Sequence, residues 1–214
     1  MKIIKYLLVL VVLTSCQSKN KAINQNRFIN TDSLMENKEI AIVAGGCFWC
    51  IEAPLLLLDG VDTVVSGYIG GQVANPTYAQ VCTGNTGHAE AVKIIFDKDK
   101  ISYDELLEVF FVMHDPTQLN RQGNDIGTQY RSAIFPTSNE QADKAKYYID
   151  KLNKSGAYES SLVTTVEFDD VFYEAEDYHQ NYYNRNPNEM YCQLVARPKL
   201  EKVKKVFSDK LKKK

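Results

Sequence analysis

The chain has little of what several common functions require. Its longest apolar run, Tyr6 to Leu13, is eight residues, too short to cross a bilayer as a helix. It has no basic excess: 25 Lys and Arg face 27 Asp and Glu, a net charge of −2, and no stripe of cations suggests a nucleic-acid partner. Of its three histidines, His88, His114 and His179, no two have the i,i+4 spacing of a helical zinc pair. Five cysteines include one close pair, Cys47 and Cys50, and Ile51 follows it where c-type haem attachment needs His. A structural zinc site on Cys47, Cys50, Cys82 and Cys192 has ligand-like spacing in that pair alone. No internal repeat divides the chain.

What is present begins with a targeting signal. Lys2 and Lys5 precede the apolar run, which ends in Leu13-Thr14-Ser15-Cys16. This reads as a bacterial lipoprotein signal peptide over 1–15 with Cys16 as the acylated first residue, the alternative being an ordinary signal with an incidental cysteine. It predicts a membrane-anchored lipoprotein of the bacterial cell envelope, facing the periplasm or exterior. Residues 16–38, rich in Asn, Lys, Ser and Gln, read as a flexible tether reaching roughly 25 Å. Residues 39–214 are one domain's worth of chain. Without Lys2 and Lys5, 23 basic residues face 27 acidic ones, a net charge of −4. The Lys-rich end, from Lys204 onward, reads as a solvated tail.

Within the domain, strands are expected at 40–44, 61–68, 90–96, 131–135 and 163–168. Helices are expected at 48–58, interrupted by Pro54, and at 102–114, capped by Ser102 with Glu105. Two more are expected at 138–154, capped by Ser138 with Gln141, and at 175–183. The first six elements run β-α-β-β-α-β, the order of an α+β, ferredoxin-like sandwich, here with a C-terminal extension. The long polar loops 71–89 and 115–130 are where a site is expected.

The most informative stretch is Gly45-Gly46-Cys47-Phe48-Trp49-Cys50. A strand, a glycine turn and a sulfur at the start of a helix favour a thiolate, because free N–H groups and the helix dipole lower the cysteine's pKa. The bland alternative is a pair of buried structural cysteines. Glu90 shares a strand face with Val92, Ile94 and Phe96. A carboxyl on such a face stays protonated and can serve as a general acid; equally, Glu90 could begin the strand at a solvated end. Cys82 reads as a packed small residue. His88 reads as shaping the loop before Glu90, His114 as a cation ending a helix, and His179 as packing or bonding locally.

These motifs resemble the peptide-methionine sulfoxide reductases of the A type. The likeness is carried by Gly45-Cys47-Phe48-Trp49, Tyr78, Gly87-His88-Ala89-Glu90-Ala91, the Gly123–Arg131 loop and Asp177-Tyr178-His179-Gln180, and covers 39 to about 198. It implies reduction of the S-epimer of methionine sulfoxide in oxidised proteins by a monomer without a bound cofactor or metal. Cys47 would attack the sulfoxide sulfur and Glu90 protonate its oxygen. Tyr78 and Tyr130 would bind that oxygen, Asp125 orient the cluster, and Phe48 and Trp49 hold the substrate methyl. The Cys47 sulfenic acid would condense with Cys50, with Cys192, or with both in relay, and a thioredoxin-like protein would reduce the disulfide. The rival reading is a thioredoxin-like dithiol oxidoreductase using Cys47 and Cys50; the aromatic residues between the cysteines and the element order speak against it.

Overall fold

The computed structural model describes residues 37–169 and 171–213. The expected signal peptide, Cys16 and all but the last two residues of the tether lie outside them. Apolar alternation builds the central strands β1 (Lys38–Gly45), β2 (Val61–Ile69) and β3 (Ala89–Asp97), flanked by β6 (Ser132–Phe135) and the two-residue strands β7 (Thr165–Val166) and β8 (Tyr173–Glu174). The sheet order is β7-β6-β1-β3-β2-β8. All neighbours are antiparallel except β6 and β7. A separate hairpin pairs β4 (Arg121–Gln122) with β5 (Asp125–Ile126).

Side-chain parity gives the sheet two different faces. Ala41, Val43, Val92, Ile94 and Phe96 point into the main core. There they meet α1 (Phe48–Leu55) and α3 (Tyr103–Met113), on which α6 (Arg197–Val206) packs in turn. Ile42, Ala44, Ala89, Ala91, Ala133 and Phe135 form a smaller cluster on the other face, against which Phe172 packs. The register brings Val43 opposite Val92. Two residues further on, β1 ends level with Glu90, so the turn into α1 starts beside that carboxyl.

Local chemistry sets the helix ends. Ser102 caps α3 in a reciprocal box with Glu105. Ser138 accepts from Gln141 N–H at the start of α4 (Asn139–Ser155), but the Gln141 carboxamide turns to Thr137 N–H and Ile40 O instead of closing a box. Helix α1 stops at Leu55 with Pro54 near its end.

Four expectations change. The strand expected over 163–168 shrinks to Thr165–Val166, because Val163 N–H bonds Pro116 O and the Glu167 side chain binds Arg131. The helix expected over 175–183 breaks into a 3₁₀ turn, Asp177–His179, and the short α5 (Tyr182–Arg185). Asn181 between them has φ 53, which a right-handed helix cannot contain. The Lys-rich end is no free tail: Leu200 and Val203 of α6 are buried, and Lys210 and Lys212 bond Glu105 and Leu56 O. Helix α2 (Tyr78–Cys82), capped by Thr77 with Gln80, was hidden within an expected loop.

Candidate active site

Cys47 stands where β1 hands over to α1. The turn needs Gly46, whose φ is 95 and where an added Cβ would lie 2.7 Å from Gln122 Cβ. Cys47 is buried and occupies the N-cap position of α1 without making a side-chain cap bond. The N–H of Phe48 donates to Glu90 Oε2 at 3.2 Å. Glu90 is 1% exposed, and its other oxygen, Oε1, is buried with no hydrogen-bond partner. Burial pushes its carboxyl up to about 8, against the pull of the Phe48 N–H, and the charges of Asp125 and Cys50 add to the rise. Glu90 is therefore a desolvated carboxyl and not one at a solvated strand end.

The expected depression of Cys47 does not hold. Burial drives its thiol well above the ordinary value, and the neighbouring Cys50 sulfur and the Glu90 charge raise it further. Cys50 shifts the opposite way, lowered by the neighbouring Cys47 thiol and by the Lys199 cation. A helix N-terminus favours negative charge, but here desolvation and like charge outweigh it.

The remaining expected residues converge on this point. Tyr78 begins α2, and its N–H donates to Glu176 Oε1 at 2.9 Å. Tyr130 closes the 3₁₀ turn Thr128–Tyr130, held by Arg131, whose guanidinium bonds Gly87 O and Thr128 O. Burial, and then the Glu90 charge, push both phenols upward, so each remains an O–H donor. Asp125 accepts from Tyr191 O–H at 2.5 Å, and the Cys50 thiol donates to the Tyr191 hydroxyl oxygen at 3.7 Å. Phe48 is fully buried beneath Tyr78 and His179, and the half-buried Trp49 stacks on Tyr182 with centroids 3.7 Å apart.

Cys192 is buried in a π-helical stretch, Cys192–Ala196, directly after Tyr191. Such widened turns are frequent at functional sites. Burial raises its thiol, and the nearby Cys50 charge adds to this. Cys82, expected to be packed, is exposed on the rim at the end of α2. Among the described residues no group of three or more His, Cys, Asp and Glu is arranged to hold a metal ion.

The arm from Tyr173 to Ala196 supplies what sequence reasoning missed. His179 Nδ1 accepts from Trp49 Nε1–H at 3.2 Å, so its bond is to a partner distant in the chain and not a local one. Glu176 also accepts from Tyr68 O–H, and Gln180 bonds both the N–H and O of Ser66. Tyr191 stood in view beside Cys192, but nothing in its spacing pointed to Asp125. His88 does hold its loop, through Gly71 N–H and Val73 O. His114 is not a cation: burial pushes it down to about 4, between Phe110 O and Ser132 Oγ.

Residues 39–211 match the family profile described as peptide methionine sulfoxide reductase. A relative from Nitratiruptor sp., peptide methionine sulfoxide reductase MsrA, is 57% identical over 173 residues, covering 81% of this chain and 98% of its own. The solved structure of Mxr1 from Saccharomyces cerevisiae in reduced form aligns with TM-score 0.66 and 33% identity, over 73% of this chain and 90% of that one. Methionine sulfoxide reductase A of Corynebacterium diphtheriae aligns with TM-score 0.63 and 34% identity, over 72% and 77%. The chain belongs to the peptide methionine sulfoxide reductase family, and its activity is the thiol-dependent reduction of methionine sulfoxide.

Proposed function

We propose that Cys47 is the nucleophile and Glu90 the general acid of this reductase, acting on the S-epimer. The reading rests above all on the buried Glu90 carboxyl, which touches the first N–H of the helix that Cys47 caps and keeps one oxygen unpartnered. The Cys47 sulfur attacks the sulfoxide sulfur while Glu90 protonates the oxygen. The proton given up by the thiol returns to the Glu90 carboxylate. The hydroxyl then passes from the methionine sulfur to Cys47 as the transient S–S bond breaks, so methionine leaves and Cys47 becomes a sulfenic acid. Tyr78 and Tyr130 donate hydrogen bonds to the oxygen as charge builds on it. Asp125 acts through Tyr191, and Phe48 and Trp49 wall the methyl group.

Cys50 resolves first in this scheme. Its thiol condenses with the sulfenic acid, releasing water and forming the Cys47–Cys50 disulfide; the tight turn that joins the two residues, closed by Cys50 N–H on Cys47 O at 3.0 Å, supports that order. Cys192, within reach of the Cys50 charge, takes the disulfide onward to a thioredoxin-like dithiol. Peptide mapping after one equivalent of sulfoxide tests this: a Cys47–Cys50 bond is expected first, and a first bond from Cys47 to Cys82 would overturn it. Cys47→Ser is expected to abolish turnover of a sulfoxide peptide.

We further read the four long strands and the helices α1 and α3 as a ferredoxin-like sandwich. The order β6-β1-β3-β2, antiparallel throughout, supports this. Lys2, Lys5, the apolar run and Cys16 support a lipid-anchored monomer in the bacterial cell envelope that repairs neighbouring oxidised proteins. Radiolabelled palmitate that is incorporated by the native chain and not by Cys16→Ala would test the anchor.

A further inference from the structure

Glu52 is a carboxylate that this mechanism does not use. It lies on α1, one turn beyond Trp49, and is 1% exposed. Its Oε1 accepts from Asn181 N–H at 2.8 Å, while Oε2 and the nearby Ser66 hydroxyl are both buried without a partner that meets hydrogen-bond geometry. The carboxyl also faces the N–H of Tyr182. Asn181 is the left-handed residue, φ 53, at which the arm reverses into α5. The next residue, Tyr182, lays its ring on Trp49 at 3.7 Å and 9°. Burying a carboxyl is costly, and this one bridges the helix that carries Trp49 and the backbone that carries Tyr182.

We propose that Glu52 is a positioning residue for sulfoxide binding: by holding the Asn181–Tyr182 backbone it sets the Tyr182 ring on Trp49, and so the wall against which the substrate methyl rests. The inference builds on the proposed role of Trp49 and adds a residue that touches no substrate. Ground-state fit is what it controls, so its loss raises KM and spares kcat.

Trp49 is the chain's single tryptophan, and its emission reports the stack directly. In the intact chain, Glu52→Ala is expected to shift that emission to the red and raise KM for a methionine sulfoxide peptide about tenfold, with kcat within about twofold. Glu52→Gln keeps an oxygen for Asn181 N–H and is expected to restore both readouts. Tyr182→Ala should reproduce the KM effect, and the double variant should add nothing to it. Native emission and KM in Glu52→Ala, or additive effects in the double variant, would overturn the clamp. If Glu52→Ala fails to fold, Glu52→Asp, one methylene short of Asn181, carries the same readouts. A shifted emission with an unaltered KM would keep the clamp and overturn Trp49 as a pocket wall.

Discussion

Glu90 keeps its proton at neutral pH because water cannot reach it, and the same burial that fits it for proton delivery strains the fold. With Glu90 titrating at about 8, the single-turnover rate of sulfoxide reduction is expected to lose the Glu90 proton, and with it rate, as pH rises past that value. Glu90→Gln, which cannot donate an acidic proton, should lower that rate by about 10² to 10⁴; stopped-flow on the pre-reduced enzyme checks both. Cys47 and Glu90 were legible in the sequence because each is announced locally, one by the glycine turn and the other by strand parity. Tyr182, His179 and Tyr191 were not. Their partners lie far away along the chain, Trp49 130 residues from His179 and Asp125 66 residues from Tyr191, and no periodicity encodes such pairings. The thiol balance was misread for a related reason: the dipole of α1 is visible in the sequence, but the depth at which Cys47 is buried is not.

At the scale of elements, the turn and the caps carry the testable weight. Gly46→Ala would place a methyl 2.7 Å from Gln122 Cβ at a φ of 95. It is expected to destabilise the fold by about 1–3 kcal/mol and to displace Cys47, read as a lower urea midpoint together with lost activity. Ser102→Ala removes the α3 cap far from the site and should cost about 1 kcal/mol, with kcat unchanged. That cap was readable from Ser102 and Glu105 alone, as were the four main strands. The arm was not, because its geometry is imposed from outside: Gln180 satisfies the Ser66 backbone 114 residues earlier, leaving Asn181 to turn the chain. Helix α6 escaped notice because its lysines mask a narrow apolar stripe, Leu200 and Val203.

For the molecule as a whole, the buried ionisable groups set how stability depends on pH. Glu90 and Glu52, raised to about 8 and about 7 from an ordinary 4.5, hold protons in the fold that the unfolded chain releases. Stability therefore falls as pH rises from about 4.5 through 8. His114, lowered to about 4 from 6.5, acts in the opposite sense, costing stability as pH falls through that interval. His179, also lowered by burial, joins His114, but the histidine contributions are complete above about 6.5, while the two glutamates go on losing stability up to about 8. Below that, carboxyls held low by their partners, such as Glu105 at about 2, give up their contribution as acid protonates them. The melting temperature is expected to be higher at pH 5.5 than at pH 8.5, and Glu90→Gln should raise it at pH 8.5, exchanging activity for stability. Calorimetry across that range checks the sign.

The late position of the arm has a consequence for how the protein is made. A chain halted before Tyr173 would already possess its central strands, Cys47 and Glu90. It would lack Tyr182, Tyr191 and Cys192, and Trp49 would have no ring to lean on. Competence thus arrives only once residues 173–196 have been synthesised, and a product terminated before them holds a sulfur with no means of completing a cycle.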